Sequence, residues 1–380
     1  MAARKGKARN GPYRRLVVKL GTNILTGGTP HLDMKAMAEL VGQVAQLCKE
    51  GKEVVVITSG AIAAGRQVLA QIAEGRDIPR RQVLASVGQG RLMHLYDELF
   101  GSQGIAVAQA LLTKGDLTDR HGYLNARNTL LSLLELGVVP IVNENDVVSV
   151  DEIREEIFGD NDSLSAMVAN LVDADLLAIL TDTEGLYDAD PHTHPQARLI
   201  RRVDRVDDEV RRWAAGPPGE RGSGGMSSKV EAARLAAASG VATVIANGRR
   251  PGVLLSLARG EEVGTLFPPT TTRLESRKRW LLSALSRQGR LVVDAGAAKA
   301  LTTGNRSLLP AGVVAVAGEF DRGEAVAIAD EGGRELACGL VSYSSADIQR
   351  IKGCRSDEIL ACLGYEYGEE VVHRNNLVVL

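Results

Sequence analysis

The apolar run Arg15-Leu-Val-Val-Lys-Leu20 carries a lysine, Lys19, at its end, followed by Gly21 and Thr22. An ammonium group there is costly to bury unless it reaches water or an anion. Gly21 lets a ligand approach the backbone, and Thr22 adds a hydroxyl donor; the alternative is a lysine that snorkels from a strand end. Thr58-Ser59-Gly60-Ala61 closes a second apolar run. Free N–H groups at a helix start there would hold an anion, while Ser59 could equally be a plain N-cap. Asn143-Glu-Asn-Asp146 and Phe158-Gly-Asp-Asn-Asp162 set carboxylates and carboxamides at a strand end and a helix start. Together they suit the ammonium group of an amino acid, although Asn, Asp and Gly also make ordinary turns.

Thr181-Asp182 ends another apolar run, placing an acid where a nucleotide's ribose or base could lie, or where a simple turn would serve as well. Gly222-Ser-Gly-Gly-Met-Ser-Ser-Lys229 feeds directly into the alanine-rich stretch 230–238. Successive N–H groups, hydroxyls and a lysine at a helix start form a phosphate cradle; a flexible surface loop is the alternative. His192 and His194 lie in a polar loop and read as solvated rather than metal-bound. GxxxxGK[ST], GxGxxG after the first strand, HExxH and GxSxG are absent. Any phosphate handling therefore uses an architecture other than the P-loop or the dinucleotide fold, and zinc-protease and serine-hydrolase readings weaken.

The elements that must position these groups alternate. Strands are expected at 15–20, 53–58, 105–110, 138–142, 176–181 and 241–246, with helices over 33–49, 124–136, 163–171 and 228–238. Such alternation predicts an α/β fold, an open and mainly parallel sheet sandwiched by helices. Ligands then gather at the carboxyl ends of the strands. After Phe267 the character changes. Pro268-Pro-Thr-Thr-Thr-Arg273 and the basic cluster Arg277-Lys-Arg-Trp280 read as a linker. Beyond it, short apolar runs punctuated by glycine suit a small β-rich domain.

At about 150 residues per domain, 380 residues predict two domains, or three. The 45 Lys and Arg against 47 Asp and Glu give a net charge of −2, which argues against a dedicated nucleic-acid or membrane-surface binder. Four cysteines without a CxxC pair make a disulfide framework implausible and favour a reducing cytoplasm. There is no apolar run of about 18 residues, so no membrane span is expected. Residues 1–15 carry six basic groups and no acid, as a disordered solubilising tail would.

In this order the motifs resemble the glutamate 5-kinases, a branch of the amino-acid kinase superfamily. The carrying residues are Val18-Lys-Leu-Gly-Thr22, Ile57-Thr-Ser-Gly-Ala-Ile62, Asn143–Asp146, Phe158–Ser163, Leu180-Thr-Asp-Thr-Glu-Gly-Leu-Tyr187 and Gly224-Gly-Met-Ser-Ser-Lys229. Asp119-Arg120 and Tyr123-Leu-Asn-Ala-Arg127 add to them. The likeness continues into a C-terminal stretch similar to a PUA domain, with Gly304-Asn-Arg-Ser-Leu-Leu-Pro310 and Gly364-Tyr-Glu-Tyr-Gly368. It implies a tail at 1–14, a kinase domain at 15–272, a linker at 273–288, a PUA-like domain at 289–368 and a tail at 369–380. Ser223 and Ser228 stand where threonines are usual, and Asn128 where Asp is common.

The resemblance implies transfer of the γ-phosphoryl of ATP to the side-chain carboxylate of L-glutamate, the first step of proline biosynthesis. By similarity, Lys19 contacts the transferred phosphoryl, Lys229 stabilises the ATP phosphates, and Asp162 orients both ammonium groups. Ser59, Asp146 and Asn161 hold glutamate. Thr181, Asp182, Ser223, Gly224, Gly225, Met226, Ser227 and Ser228 join the two lysines at ATP, with Mg2+ held mainly by the nucleotide phosphates. The implied partners are proline as feedback inhibitor, a second copy or more of the chain (dimer or tetramer) and the reductase that consumes the product. Thr113–Thr129 is the stretch expected to combine effector response and subunit contacts. Acetylglutamate, aspartate, carbamate or a nucleotide would be the acceptor of a different superfamily member. RNA is disfavoured, because 289–380 holds nine Lys and Arg against thirteen Asp and Glu, a net charge of −4.

Overall fold

A computed structural model describes residues 11–69, 78–149, 160–191, 193–215, 225–272, 275, 285–304 and 306–380. The chain divides into two compact units. One spans Met1–Leu117 and Arg127–Thr272, the other Thr118–Ala126 and Arg273–Leu380.

The first unit is built on β1 (Arg15–Leu20), α1 (Thr22–Thr26), α2 (Met34–Lys49), β2 (Glu53–Ile57), α3 (Ala61–Val68), α4 (Ile78–Gly101), β3 (Val107–Leu112), α5 (Lys114–Thr118), α6 (Arg120–Glu135) and β4 (Val139–Glu144). It continues with α7 (Asp160–Leu171), β5 (Leu176–Thr181), α8 (Asp208–Ala215), α9 (Met226–Ala238), β6 (Ala242–Asn247), α10 (Val253–Arg259) and β7 (Thr265–Phe267). Its sheet runs β3-β4-β2-β1-β5-β6-β7. Every neighbouring pair from β3 to β6 is parallel, and β7 alone is antiparallel. Parallel strands covered on both faces must be apolar throughout, and β4 and β5 are buried at every position.

Two neighbours flank β1 in the sheet, β2 on one side and β5 on the other. The chain reverses its winding there, so the crevice for a ligand opens at the carboxyl end of β1. Side chains alternate along a strand. Leu16, Val18 and Leu20 join the core formed with α2 and α10, which turns Val17 and Lys19 to the opposite face, where α7 packs on β1. Lys19 therefore leaves the sheet at its ligand-binding end and on the side of α7.

Four expected strands, β2, β3, β4 and β6, shift their bounds by one or two residues. β3 begins at Val107 rather than 105, and β4 reaches Glu144, so Asn143 belongs to the strand rather than to the loop after it. Several elements were not anticipated: α1, α5, α8 and α10, and also β7 and α4. β7 is three residues long and enters through Gly264, whose φ is +73 and whose Cβ would stand 2.1 Å from the Ile245 carbonyl oxygen. The 24-residue α4 was hidden by Pro79 near its start and by Gly88 and Gly90 within it, residues that weaken a helical pattern.

Those glycines differ in purpose. A Cβ on Gly88 would stand 1.8 Å from the Ala61 carbonyl oxygen and 2.4 Å from the Gly65 nitrogen, whereas one on Gly90 meets nothing within 4 Å. Gly88 thus lets α4 press directly on the first turn of α3. Because both obstructing atoms are backbone, Gly88→Ala is expected to destabilise the fold by about 1–3 kcal/mol or more. Gly90→Ala should be neutral or stabilising by up to about 1 kcal/mol. Urea denaturation of the two variants side by side checks the contrast.

The second unit contains β8 (Leu285–Val293), α11 (Ala295–Gly304), β9 (Val313–Ala317), β10 (Ala325–Asp330), β11 (Glu335–Leu340), α12 (Ser345–Ile351), α13 (Ile359–Leu363) and β12 (Leu377–Val379). Its sheet runs β12-β11-β10-β8-β9, mixed in direction, over a core that includes Leu291, Leu308, Val313, Phe320 and Tyr343. Residues 369–380 are not a tail: Val371 and Val372 are fully buried, and β12 pairs with β11. β8 likewise begins inside the stretch read as a linker, with Leu285 paired to Ala325, while most of 273–284 lies outside the described residues. The segment Thr118–Ala126, which holds the last residue of α5 and the start of α6, belongs to this unit, and α6 joins the first unit from Arg127 onward. Leu124 packs with Ala325, Cys338, Leu340 and Val378, and Arg120 pairs with Glu324 at 2.7 Å.

Candidate active site

Asp162 is fully buried, and its carboxylate bridges two lysines. Lys19 Nζ lies 2.7 Å from Oδ1, and Lys229 Nζ lies 3.2 Å from Oδ2. The Ser228 hydroxyl donates to Oδ2 at 2.6 Å. Three elements supply this cluster: the carboxyl end of β1, the first turn of α7 and the first turn of α9. A carboxylate in the first turn of α7 sits well with the helix dipole, whereas an ammonium in the first turn of α9 does not. Asp162 compensates Lys229 for that unfavourable position.

Burial alone would push the Asp162 carboxyl up. The opposing charges of Lys19 and Lys229, with hydrogen bonds from Lys19 and Ser228, outweigh it and hold the group below its ordinary value. Lys229 is drawn below the usual lysine range, first by burial, against the attraction of Asp162 and with the repulsion of Lys19. Two ammonium groups on one carboxylate leave a net charge of +1, aimed by a rigid anchor. Such a site suits an anion whose charge is spread over several oxygens.

Beside this triad lies a hydrogen-bonded group of amides and hydroxyls. Asn161 Nδ2 donates to Ser59 Oγ at 3.1 Å and to Asn143 Oδ1 at 3.3 Å, and all three residues are buried. Ser59 does not cap α3. The N-cap is Gly60, at φ +96, without a side-chain cap bond, which frees the serine hydroxyl to face α7. Thr58 is held from behind by Tyr96, hydroxyl to hydroxyl at 2.7 Å. Asp146 is buried in the turn after β4, where Gln82 Nε2 donates to its carbonyl oxygen at 3.1 Å and to that of Val147 at 3.2 Å. Phe158 and Gly159 lie outside the described residues.

On the other side of the triad, Thr181 is buried at the end of β5, and its hydroxyl donates to Asp182 at 3.2 Å. Asp182 also accepts from Asn23 Nδ2 at 3.0 Å. Burial works to raise its carboxyl, and the bonds from Asn23, its own backbone and Thr181 bring it below its ordinary value. Of the glycine-rich stretch, Ser223 and Gly224 lie outside the described residues, and Gly225 is the N-cap of α9. Met226 is half-buried, Ser227 donates to the Ala214 carbonyl oxygen at 2.9 Å, and Ser228 turns inward to Asp162. These two hydroxyls thus brace the start of α9. His194 is exposed and bonds the Thr193 hydroxyl, while His192 lies outside the described residues.

The structure therefore brings together Lys19, Asp162 and Lys229, with Ser59 and Asn161 alongside. Sequence reading missed the contributions of Gln82, Gln89 and Tyr96, all on α4, and gave Asn143 no separate role. Among the described residues, no group of three or more His, Cys, Asp or Glu could hold a metal ion, and no helix is long and apolar enough to cross a membrane.

Comparison with known proteins matches residues 14–247 to the amino acid kinase family and residues 289–363 to the PUA domain. The glutamate 5-kinase of Dehalococcoides mccartyi (strain CBDB1) is 54% identical over 368 residues, covering 97% of this chain and 99% of that protein. That of Herpetosiphon aurantiacus is 53% identical over 366 residues, covering 96% and 98%. That of Geobacter sulfurreducens is 49% identical over 367 residues, covering 97% and 98%. By its family match and its near-full-length relatives, the chain belongs to the amino acid kinase family, in the glutamate 5-kinase branch that carries a C-terminal PUA domain.

Proposed function

We propose that the protein transfers the γ-phosphoryl group of ATP to the side-chain carboxylate of L-glutamate, giving L-glutamyl 5-phosphate and ADP. The observation that carries this reading is the buried Lys19–Asp162–Lys229 cluster, set between a hydrogen-bonded group of amides and the helix start that ends the glycine-rich stretch. The acceptor is a carboxylate of ordinary pKa about 4.3, ionised at neutral pH, so no general base is needed. One carboxylate oxygen attacks the γ-phosphorus in line, and the bond to the bridging oxygen breaks with its electrons going to ADP. Two anions repel, so the task of the protein is to align them and offset charge on the transferring group.

In this reading Lys19 meets the transferred phosphoryl, Lys229 the ATP phosphates, and Asp162 aims both. Ser59, Asp146 and Asn161 bind glutamate, with Asp146 toward its ammonium group. Thr181, Asp182 and 223–229 lie along the nucleotide. Magnesium enters as part of the MgATP substrate, held through the phosphates. The product is a labile acyl phosphate, so a reductase that consumes it at once fits as the next enzyme in proline biosynthesis, with proline as end-product inhibitor. A cytoplasmic homo-oligomer suits that role.

ADP release measured with glutamate, acetylglutamate, aspartate and carbamate as acceptors, with and without proline, tests the reading. Glutamate-dependent release is expected; release with another acceptor only would overturn it. Loss of rate on adding proline would support the regulatory part, and an unchanged rate would reject it.

A further inference from the structure

The two protons of Asn161 Nδ2 are directed to Ser59 Oγ and Asn143 Oδ1. What Asn161 offers a ligand is then its acceptor oxygen, the polarity an ammonium group requires. That direction is inherited. Asn143 presents Oδ1 to Asn161 only because its own Nδ2 donates to Gln89 Oε1, at 2.8 Å. Gln89 lies on α4, next to Gly88, whose missing side chain lets that helix press on the first turn of α3.

Each carboxamide in this relay can face either way, and each forces the next. Were Gln89 to present Nε2, Asn143 would turn to accept from it and offer Nδ2 to Asn161. Asn161 would then turn in its place and offer donors to the ligand. In the observed direction Gln89 Nε2 is buried and has no hydrogen-bond partner among the described residues. An unmet buried donor is costly, and the relay bears that cost in keeping its acceptor end toward Asn143.

We propose that Gln89 is a positioning residue that sets the polarity of the Asn143–Asn161 relay and, through it, selects an acceptor substrate bearing an ammonium group. The inference rests on the functional reading above and adds to it a residue that touches neither substrate. Glutamate and leucine at position 89 separate polarity from packing. A carboxylate can only accept, so Gln89→Glu enforces the observed direction, whereas Gln89→Leu or Gln89→Met leaves it unspecified.

The test is steady-state kinetics of ADP release, varying glutamate and ATP in turn, with thermal melting of every variant. Arg91→Ala, at an exposed position of the same helix, is the control. Gln89→Leu and Gln89→Met are expected to raise KM for glutamate about tenfold, the effect of one lost oriented hydrogen bond. KM for ATP should change less than about threefold, and Gln89→Glu should restore most of the glutamate affinity. An unchanged KM for glutamate in the leucine or methionine variant would overturn the proposal. So would equal shifts in both KM values, or a glutamate variant as impaired as the leucine one. A native protein without glutamate-dependent ADP release overturns instead the functional reading beneath it.

Discussion

Replacing Lys19 or Lys229 with alanine is expected to lower kcat by about 10²–10³, the loss that follows removal of one oriented donor from a transferring group. Each lysine is about 95% buried and held by a different oxygen of Asp162, so water cannot substitute for it at the same point in space. The two variants should differ in kind. Lys19, at the end of β1, is assigned to the transferred phosphoryl, so its loss should fall on kcat with KM for ATP little changed. Lys229 leads into α9 beside the glycine-rich stretch, and its loss should raise KM for ATP as well. Arginine should not rescue Lys19, because a planar guanidinium neither fits nor reproduces a compact ammonium. Steady-state kinetics of the three variants checks this; a near-normal kcat in either alanine variant would remove that lysine from the mechanism.

The second large effect is expected at Asp162. Asp162→Asn keeps the shape and removes the carboxylate that the two buried ammonium groups share, with Asp182 a weaker attraction on Lys229. Breaking a buried pair in this way costs about 3–5 kcal/mol, a fall in Tm of roughly 6–20 °C for a unit of this size. The deficit should shrink as pH rises. An ammonium that is disfavoured in the folded protein binds its proton less tightly there than in the unfolded chain, so stability grows with pH through its folded-state pKa. Asp162 gives the native protein a slope of the same sign but in the acid range, and the variant lacks it. The carboxyl is held below the ordinary value, so the stabilisation is fully present above about pH 3.9 and is lost as pH falls through the folded-state value. Thermal melts of both proteins across pH measure the two slopes. The acid-range fall is expected in the native protein alone and a steeper alkaline rise in the variant; superimposable profiles would mean that Asp162 does not govern the charge state of the lysines.

The parts of the molecule that were legible in the sequence are those with local causes. β5 occupies the expected 176–181 because a parallel strand covered on both faces must be apolar from end to end. Asp33 caps α2 by accepting from the Lys35 and Ala36 amides, a start signal written in one residue. α4 was not legible, because its most important contact requires a glycine where a helical pattern leads one to expect an apolar side chain. β12 was not legible either. It is a short edge strand at the chain end, and only its pairing with β11 explains the burial around it.

The candidate site divides in the same way. Lys19, Ser59, Asn161, Asp162 and Lys229 stand out because each is polar at the end of an apolar strand or the start of a helix. Gln89 and Gln82 do not, since a glutamine in the middle of a helix has the signature of a solvated face. Their roles come from partners 54 and 64 positions away, a relation no local pattern contains. Ser59 was legible as a residue but not in its role: Gly60 takes the cap position, and the hydroxyl goes to Asn161 instead.

Hydroxylamine reports directly on delivery of the phosphoryl group to a carboxylate, because it traps an acyl phosphate as a stable hydroxamate. With ATP, magnesium and L-glutamate, γ-glutamyl hydroxamate is expected in equal amount to the ADP released, both forming about 10²–10³ more slowly in Lys19→Ala. ADP released from the native protein without matching hydroxamate would contradict it.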